Sequence, residues 1–221
     1  MVLVEHELQN AYIWQYPGWW QPWANTLAYR PLTSDLNDYS WNNHNFSATS
    51  WTYSFNNNMC TLQRATLSWW SMAGYAGDFT IQAYTTNSSA NSGIQLQTDN
   101  RWYPSVQLYR GGDDIWFNFV NSTNTARIWA GNSYTWTWVH LITWVKTSTY
   151  VALYIDGVEQ QKVVWSYGDM YNSSQKNCRL WRNVNGSWTA TYWNIILESV
   201  ARTAQEIADY YNQTKANYWI S

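Results

Sequence analysis

The C-terminal third of the chain sets the strongest constraint on its fold. Trp138-x-His140-Leu141 opens one strand, and Val151-Ala-Leu-Tyr-Ile-Asp-Gly157 reads as a second strand ending in a tight turn. A last strand, Tyr192–Ser199, runs into a single helix. Asp-Gly suits a two-residue turn with φ > 0 at both positions, whose twist matches that of the flanking strands. Side chains alternate along a strand, so Val151, Leu153 and Ile155 are expected to face the core, with Ala152 and Tyr154 outward. In the helix, Thr203 followed three residues later by Glu206 has the form of a capping box. Ile207, Tyr210, Tyr211 and Thr214 then recur at i, i+3, i+4 and i+7, which predicts one buried stripe. A helix this short is marginal in isolation, so it must dock on the sheet.

Upstream, strand-like runs alternate with turn clusters such as Asn56-Asn-Asn58, Gly111–Asp114 and Asn183–Ser187. Strands are expected at Leu27–Leu32, Asn45–Ser50, Met59–Gln63, Phe79–Tyr84, Ile94–Gln97, Ser105–Tyr109 and Ile115–Val120. Six more follow at Ala126–Trp129, Trp138–Lys146, Tyr150–Ile155, Glu159–Val164, Cys178–Arg182 and Tyr192–Ser199. Residues 1–24 have a different character, a Trp/Pro-rich arm containing Tyr16-Pro-Gly-Trp-Trp-Gln-Pro-Trp23. The domain proper is expected over 25–221.

Composition narrows the class. With 19 Trp and 18 Tyr but only 12% charged residues, the chain is aromatic and amide-rich, as extracellular or virion β-proteins are. A disordered chain would carry far fewer aromatics. The 12 basic against 14 acidic residues, without a basic run, argue against nucleic acid as a partner. No apolar run approaches the ~20 residues of a membrane-spanning helix. Glu5, His6 and Glu7 interrupt any apolar segment of a signal peptide. The chain is therefore expected to be a fragment of a longer exported protein, or to leave the cell another way, as in a phage particle.

Five segments in order carry a family resemblance: Asn25–Asn45, Gly77-Asp-Phe-Thr-Ile-Gln-Ala-Tyr84, Trp136-Thr-Trp-Val-His140, Val151–Gly157 and Ser199–Ile207. Together they resemble the laminin-G-like domains of the concanavalin A-like superfamily. The resemblance implies an all-β fold, a two-sheet antiparallel jelly-roll sandwich with one short C-terminal helix, and a role in binding glycans or proteins. Trp41, Trp181 and Trp193 stand where that family has Gly, and Trp is the poorest substitute at a position needing φ > 0. Two explanations stand: a lineage that uses Trp heavily, or UGA codons read as Gly in the native organism.

Chemistry is sparse. Retaining glycosidases need two carboxyls ~5 Å apart, and no Glu-x-Asp-x-x-Glu run exists; Asp113-Asp114 read as a solvated turn. No Gly-x-Ser-x-Gly elbow, His-x-x-x-His or Cys-x-x-Cys occurs, and His140 reads as a core or cross-strand residue. A structural calcium at Asp38 with Asn42 or Asn43 is set against the simpler role of Asp38 in bonding its own turn. Cys60 and Cys178 suit a disulfide in an exported domain, with two free thiols as the alternative. Trp102, Tyr103, Tyr109, Trp116 and Trp129 are the candidates for stacking on sugar rings, with neighbouring Asn and Gln on the hydroxyls.

The expected function is a non-catalytic glycan- or protein-binding module of a surface-exposed protein, extracellular, at the cell surface or on a virion. The alternative is a phage tail or fibre protein using the same domain for receptor binding, and the distant one is a glycoside hydrolase. Composition and motifs leave the oligomeric state open.

Overall fold

The computed structural model describes residues 25–30, 32, 34–38, 40, 42, 45–56, 59–69, 77–87, 92–98, 106–111, 114–120, 125–130, 139–164, 176–182 and 189–218. The arm at 1–24 lies outside them, as do Trp41, Trp102 and Tyr103. Among the described residues are thirteen strands: β1 Thr26–Arg30, β2 Ser47–Asn56, β3 Met59–Trp69, β4 Phe79–Asn87, β5 Ser92–Thr98, β6 Val106–Gly111 and β7 Asp114–Val120. Then come β8 Thr125–Ala130, β9 His140–Lys146, β10 Tyr150–Ile155, β11 Val158–Val164, β12 Lys176–Arg182 and β13 Thr189–Glu198. Helix α1, Ala204–Thr214, closes the domain and runs into a 3-10 turn, Lys215–Tyr218.

Every strand pairing is antiparallel, and the hydrogen-bonded path runs β11-β10-β9-β4-β13-β3-β12-β5-β6-β7-β8. β8, at one end, lies beside β10 and β11 at the other. β3 is much longer than the expected Met59–Gln63. Its extension past Arg64 pairs with β2 on one edge and, through Leu67–Trp69, with β12 on the other. Those partners, rather than local apolar alternation, decide where the strand stops.

β13 is the hinge of the topology. Thr189–Tyr192 pair with β3, whereas Ile195–Glu198 pair with β1 on the same edge. Between them the register with β4 shifts across Trp193–Ile196, and Asn194 adopts φ 48°. A bulge of this kind bends a strand and raises its twist, and Asn is among the few residues that tolerate left-handed backbone. The expectation that Trp193 occupies a Gly-like position is corrected here. The positive φ falls one residue later, and Trp193 is buried against Tyr29, Tyr84, Leu141, Ile196 and Tyr210.

The β10–β11 turn forms as read from Asp-Gly, with φ 53° at Asp156 and 80° at Gly157. The burial pattern of β10 does not. Val151, Leu153 and Ile155 are buried, and so are Ala152 and Tyr154. The outer face is covered by α1, whose Ile207 packs with Val145, Ala152 and Tyr154. Alternation applies to a sheet with one wet face, and docking of the helix removes the water. Of the expected helix stripe, Ile207, Tyr210 and Thr214 are buried and Tyr211 is half-buried. The capping box is present in full: Glu206 N–H donates to Thr203 Oγ1 at 3.2 Å, and Thr203 N–H to Glu206 Oε2 at 2.8 Å.

A charged cluster anchors the start of the helix. Arg202 grips the fully buried Glu198 with two hydrogen bonds, Nη2 to Oε1 at 2.6 Å and Nε to Oε2 at 3.0 Å. Its Nη1 reaches Glu206 Oε1 at 3.0 Å. Burial pushes the Glu198 carboxyl above its usual range despite Arg202. At Glu206 burial also pushes upward, but the donors of Thr203 and Arg202 outweigh it and hold the group below the usual range. Glu206 thus adds stability above its unfolded pKa that is lost as pH falls through the lowered folded value; Glu198 acts in the opposite sense, its contribution fading as pH rises.

Arg202→Met leaves Glu198 buried without its cation. It is expected to lower unfolding free energy at pH 7 by roughly 3–5 kcal/mol, measured by urea denaturation. The deficit should shrink as pH falls and Glu198 takes up a proton; an equal deficit at both ends of the range would contradict this account. Gly157→Ala is expected to cost at least ~1 kcal/mol from the left-handed backbone alone. Its added Cβ would also come within 3.0 Å of the Ala208 Cα, at the limit of contact.

Candidate functional site

Strand register decides which of the aromatic candidates belong together. Across β6, β7 and β8, Tyr109 stands directly opposite Trp116, and Trp116 directly opposite Trp129. The same row continues through β5 and β12, where Tyr109 pairs with Gly93 and Gly93 with Trp181. Residues directly opposite in an antiparallel sheet share a face, so four aromatic positions and one glycine form a single line over five strands. At ~4.8 Å between strands that line is ~19 Å long. Trp181 enters this row only through the register of β12 with β5, which its local sequence does not reveal. Trp102 and Tyr103 lie outside the described residues.

The next row of the same parity is polar: Arg179 pairs with Gln95, Gln95 with Gln107, Gln107 with Asn118 and Asn118 with Arg127. Two rows of the intervening parity are apolar. Leu180, Ile94, Leu108, Phe117 and Ile128 form one row, and Cys178, Leu96, Val106, Phe119 and Ala126 another. A third row of that parity joins Arg182, Ser92, Arg110, Ile115 and Ala130.

The loop holding Asp38 is organised by hydrogen bonds. Asp38 is buried, and its Oδ1 accepts from the amides of Tyr29 at 2.8 Å and Ser40 at 2.9 Å. Its Oδ2 accepts from Ser40 Oγ at 2.8 Å. Asn45 Oδ1 accepts from the Asp38 amide, and Asn42 Nδ2 donates to the carbonyls of Thr26 and Leu27. These bonds tie the loop to β1. Asn43 lies outside the described residues. Among the described residues no three His, Cys, Asp or Glu side chains gather as metal ligands would.

His140 begins β9, opposite Thr85, and its Nδ1 lies 2.6 Å from Asp156 Oδ2. Asp156 Oδ1 accepts from the Leu141 amide at 2.9 Å, and the Asp156 amide donates to the Leu141 carbonyl. The pair fastens the β10–β11 turn to the start of β9, the cross-strand role read from the sequence. The disulfide is corrected. Cys60 is a buried free thiol, whereas Cys178 stands opposite Trp69. Trp69 is nine positions further along β3, ~30 Å at ~3.3 Å per residue, against a limit of ~7 Å for bridged Cα atoms. No helix among the described residues is long and apolar enough to cross a membrane.

No family model matches the chain, and no curated protein does. Among solved structures, the fold is similar to the binding domain of Paraclostridial Mosquitocidal Protein 1, with a TM-score of 0.71 and 14% identity over 85% of this chain and 52% of that one. It is also similar to the botulinum neurotoxin serotype G binding domain, with a TM-score of 0.67 and 12% identity over 85% of this chain and 50% of that one. The serotype D ligand binding domain in complex with N-acetylneuraminic acid gives a TM-score of 0.67 and 13% identity, over 85% of this chain and 50% of that one. The chain spans about half the length of these structures. At this identity the likeness is one of fold.

The laminin-G-like resemblance is thereby corrected: the fold matches clostridial toxin binding domains, and no family model supports the other assignment. The resemblance rests on five short segments, among them a Trp-x-His run, an Asp-Gly hairpin and a capped helix start. An Asp-Gly turn and a capping box answer local backbone demands, so they do not distinguish one antiparallel fold from another.

Burial pushes the Cys60 thiol up to about 12. It is expected to resist a thiol reagent such as iodoacetamide at pH 8 in the native protein and to react fully on unfolding in guanidinium. Native-state labelling of Cys60 at the rate of a free peptide thiol would contradict its burial.

Proposed function

We propose that this chain is a non-catalytic module that binds a glycan or a cell-surface protein and acts outside the cell. The observation that carries the reading is the shared fold with toxin binding domains, one of them solved with a bound sialic acid. A two-layer jelly roll is the finer reading of the fold, supported by the return of β8 to the side of β10 and β11. On this scaffold Tyr109, Trp116 and Trp129 supply the stacking surface, since their shared row gives the extended platform that a sugar chain needs.

Sugar rings present C–H faces to aromatic rings and hydroxyls to amides. A row of aromatic positions beside a row of Gln and Asn positions suits both demands. The full chain is expected to be retained by a subset of an immobilised glycan array and to release no reducing sugar from the glycans it binds. Trp116→Ala should weaken retention by about 1 kcal/mol while leaving the unfolding midpoint unchanged. Turnover abolished by replacing a single Asp or Glu would make the chain a glycoside hydrolase instead.

A further inference from the structure

We infer that the outer edge of β2 is a self-association surface, where residues 52–56 pair antiparallel with the same segment of a second copy of this chain, about a twofold axis at Ser54. The inference goes beyond the binding reading above and does not depend on it.

Three observations carry it. The first is the edge. β2 pairs along one side with β3, whose own other side is taken by β13 and β12. Among the described residues no strand pairs with the far side of β2. Register shifts on both sides of Ser50 interrupt the first half of the strand, and over residues 52–56 the pairing with β3 is unbroken. A regular edge of this kind is a template for another strand.

The second is charge. Edge strands are commonly protected by charged side chains, by Pro, by bulges or by short length. β11 contains Glu159 and Lys162, β8 contains Arg127, and β1 is five residues long and ends in Arg30. β2, with ten residues, contains no charged residue and no Pro, and its bulges lie before residue 52. Pairing with its own copy therefore sets no like charges against each other, which in a sheet would be destabilising.

The third is what the two faces carry up to the edge. Residues directly opposite share a face. Tyr53 stands opposite Leu62, Phe55 opposite Cys60, and Cys60 opposite Tyr192. Leu62, Cys60 and Tyr192 are buried, whereas Tyr53 is 36% exposed, its ring set edge-on to Phe55 at 5.8 Å between centroids. On the other face a hydroxyl row runs from Thr191 through Thr61 to Ser54. Thr61 and Thr191 are hydrogen-bonded at 3.2 Å, and Ser54 is exposed. An axis at Ser54 sets Tyr53 of each copy opposite Phe55 of the other, and Ser54 opposite Ser54, so both rows continue across the junction. The pairing uses both β2 edges and leaves none, so it closes at two copies. Two binding modules joined in this way grip a ligand-bearing surface at two points, which raises avidity without any new ligand contact.

The test is analytical ultracentrifugation of the full chain over a concentration series. The mass is expected to rise reversibly from one copy toward two. Ser54→Lys and Ser54→Glu, both at an exposed position, should each stay monomeric where the unmodified chain pairs. An equal mixture of the two should pair again, because opposite charges then meet across the axis. Ser54→Cys should form an interchain disulfide under mild oxidation, since directly opposite Cα atoms at ~5 Å lie within bridging range. Val164→Cys, at an exposed position of β11, should cross-link no more than the unmodified chain. A mass that stays at one copy up to ~1 mM would overturn the inference, even where the edge takes up a strand of a different protein. So would growth beyond two copies, pairing untouched by both charged variants, no recovery in their mixture, or equal cross-linking of Ser54→Cys and Val164→Cys.

Discussion

The docking of the C-terminal helix on the sheet is the interaction from which the rest of this structure follows. Tyr210 is fully buried, and its hydroxyl accepts a hydrogen bond from Asn194 Nδ2 at 2.6 Å. Asn194 is the left-handed residue at which β13 exchanges β3 for β1. One side chain thus fastens the helix to the bend of the strand that joins the two parts of the hydrogen-bonded path. Thr214, one turn on, donates to the Tyr210 carbonyl and pairs with the hydroxyl of Tyr84 on β4. Burial pushes the Tyr84 phenol well above its usual range, so that group remains a neutral hydrogen-bonding partner across the physiological range.

The helix also explains where polar groups go when both faces of a sheet are dry. β9 and β10 are buried on both sides. Glu198 sits at the helix side of β13 and is tolerated because Arg202 meets it with a two-pronged contact and then reaches the cap at Glu206. Such clusters tend to fix geometry more than they add stability. Here the fixed quantity is the angle at which α1 leaves β13. The Asp156 carboxylate does comparable work at the other end of the helix. It orders the turn whose Gly157 lies under Ala208 and Tyr211.

The consequence for function is a division of labour. The half of the sheet under the helix, β4, β9, β10 and β13, has its outer face occupied. The run β12-β5-β6-β7-β8 is joined by continuous antiparallel register, and Trp181, Gly93, Tyr109, Trp116 and Trp129 share one row of it. The proposed binding role rests on that run, where Tyr109, Trp116 and Trp129 share one row.

Much of this was legible in the chain itself. The thirteen strands among the described residues, the Asp-Gly turn and the capping box were readable because each is governed by local rules: side-chain alternation, tolerance of positive φ, and satisfaction of helix-end amides. The aromatic candidates Tyr109, Trp116 and Trp129 were readable as residue types suited to sugars. Their membership of one row with Trp181 was not, since register depends on which strands pair and how they slide. The full burial of Ala152 and Tyr154 was equally hidden, because it depends on a helix fifty residues downstream. The distance from Cys60 to Cys178 followed from the length of β3, which its partners decide. The likeness in fold to toxin binding domains also escaped, because short motifs answer local backbone demands that many folds share. Local backbone chemistry was written in the sequence; pairing, covering and the surface left over were settled by the tertiary structure, where contacts between distant segments outweigh local preference.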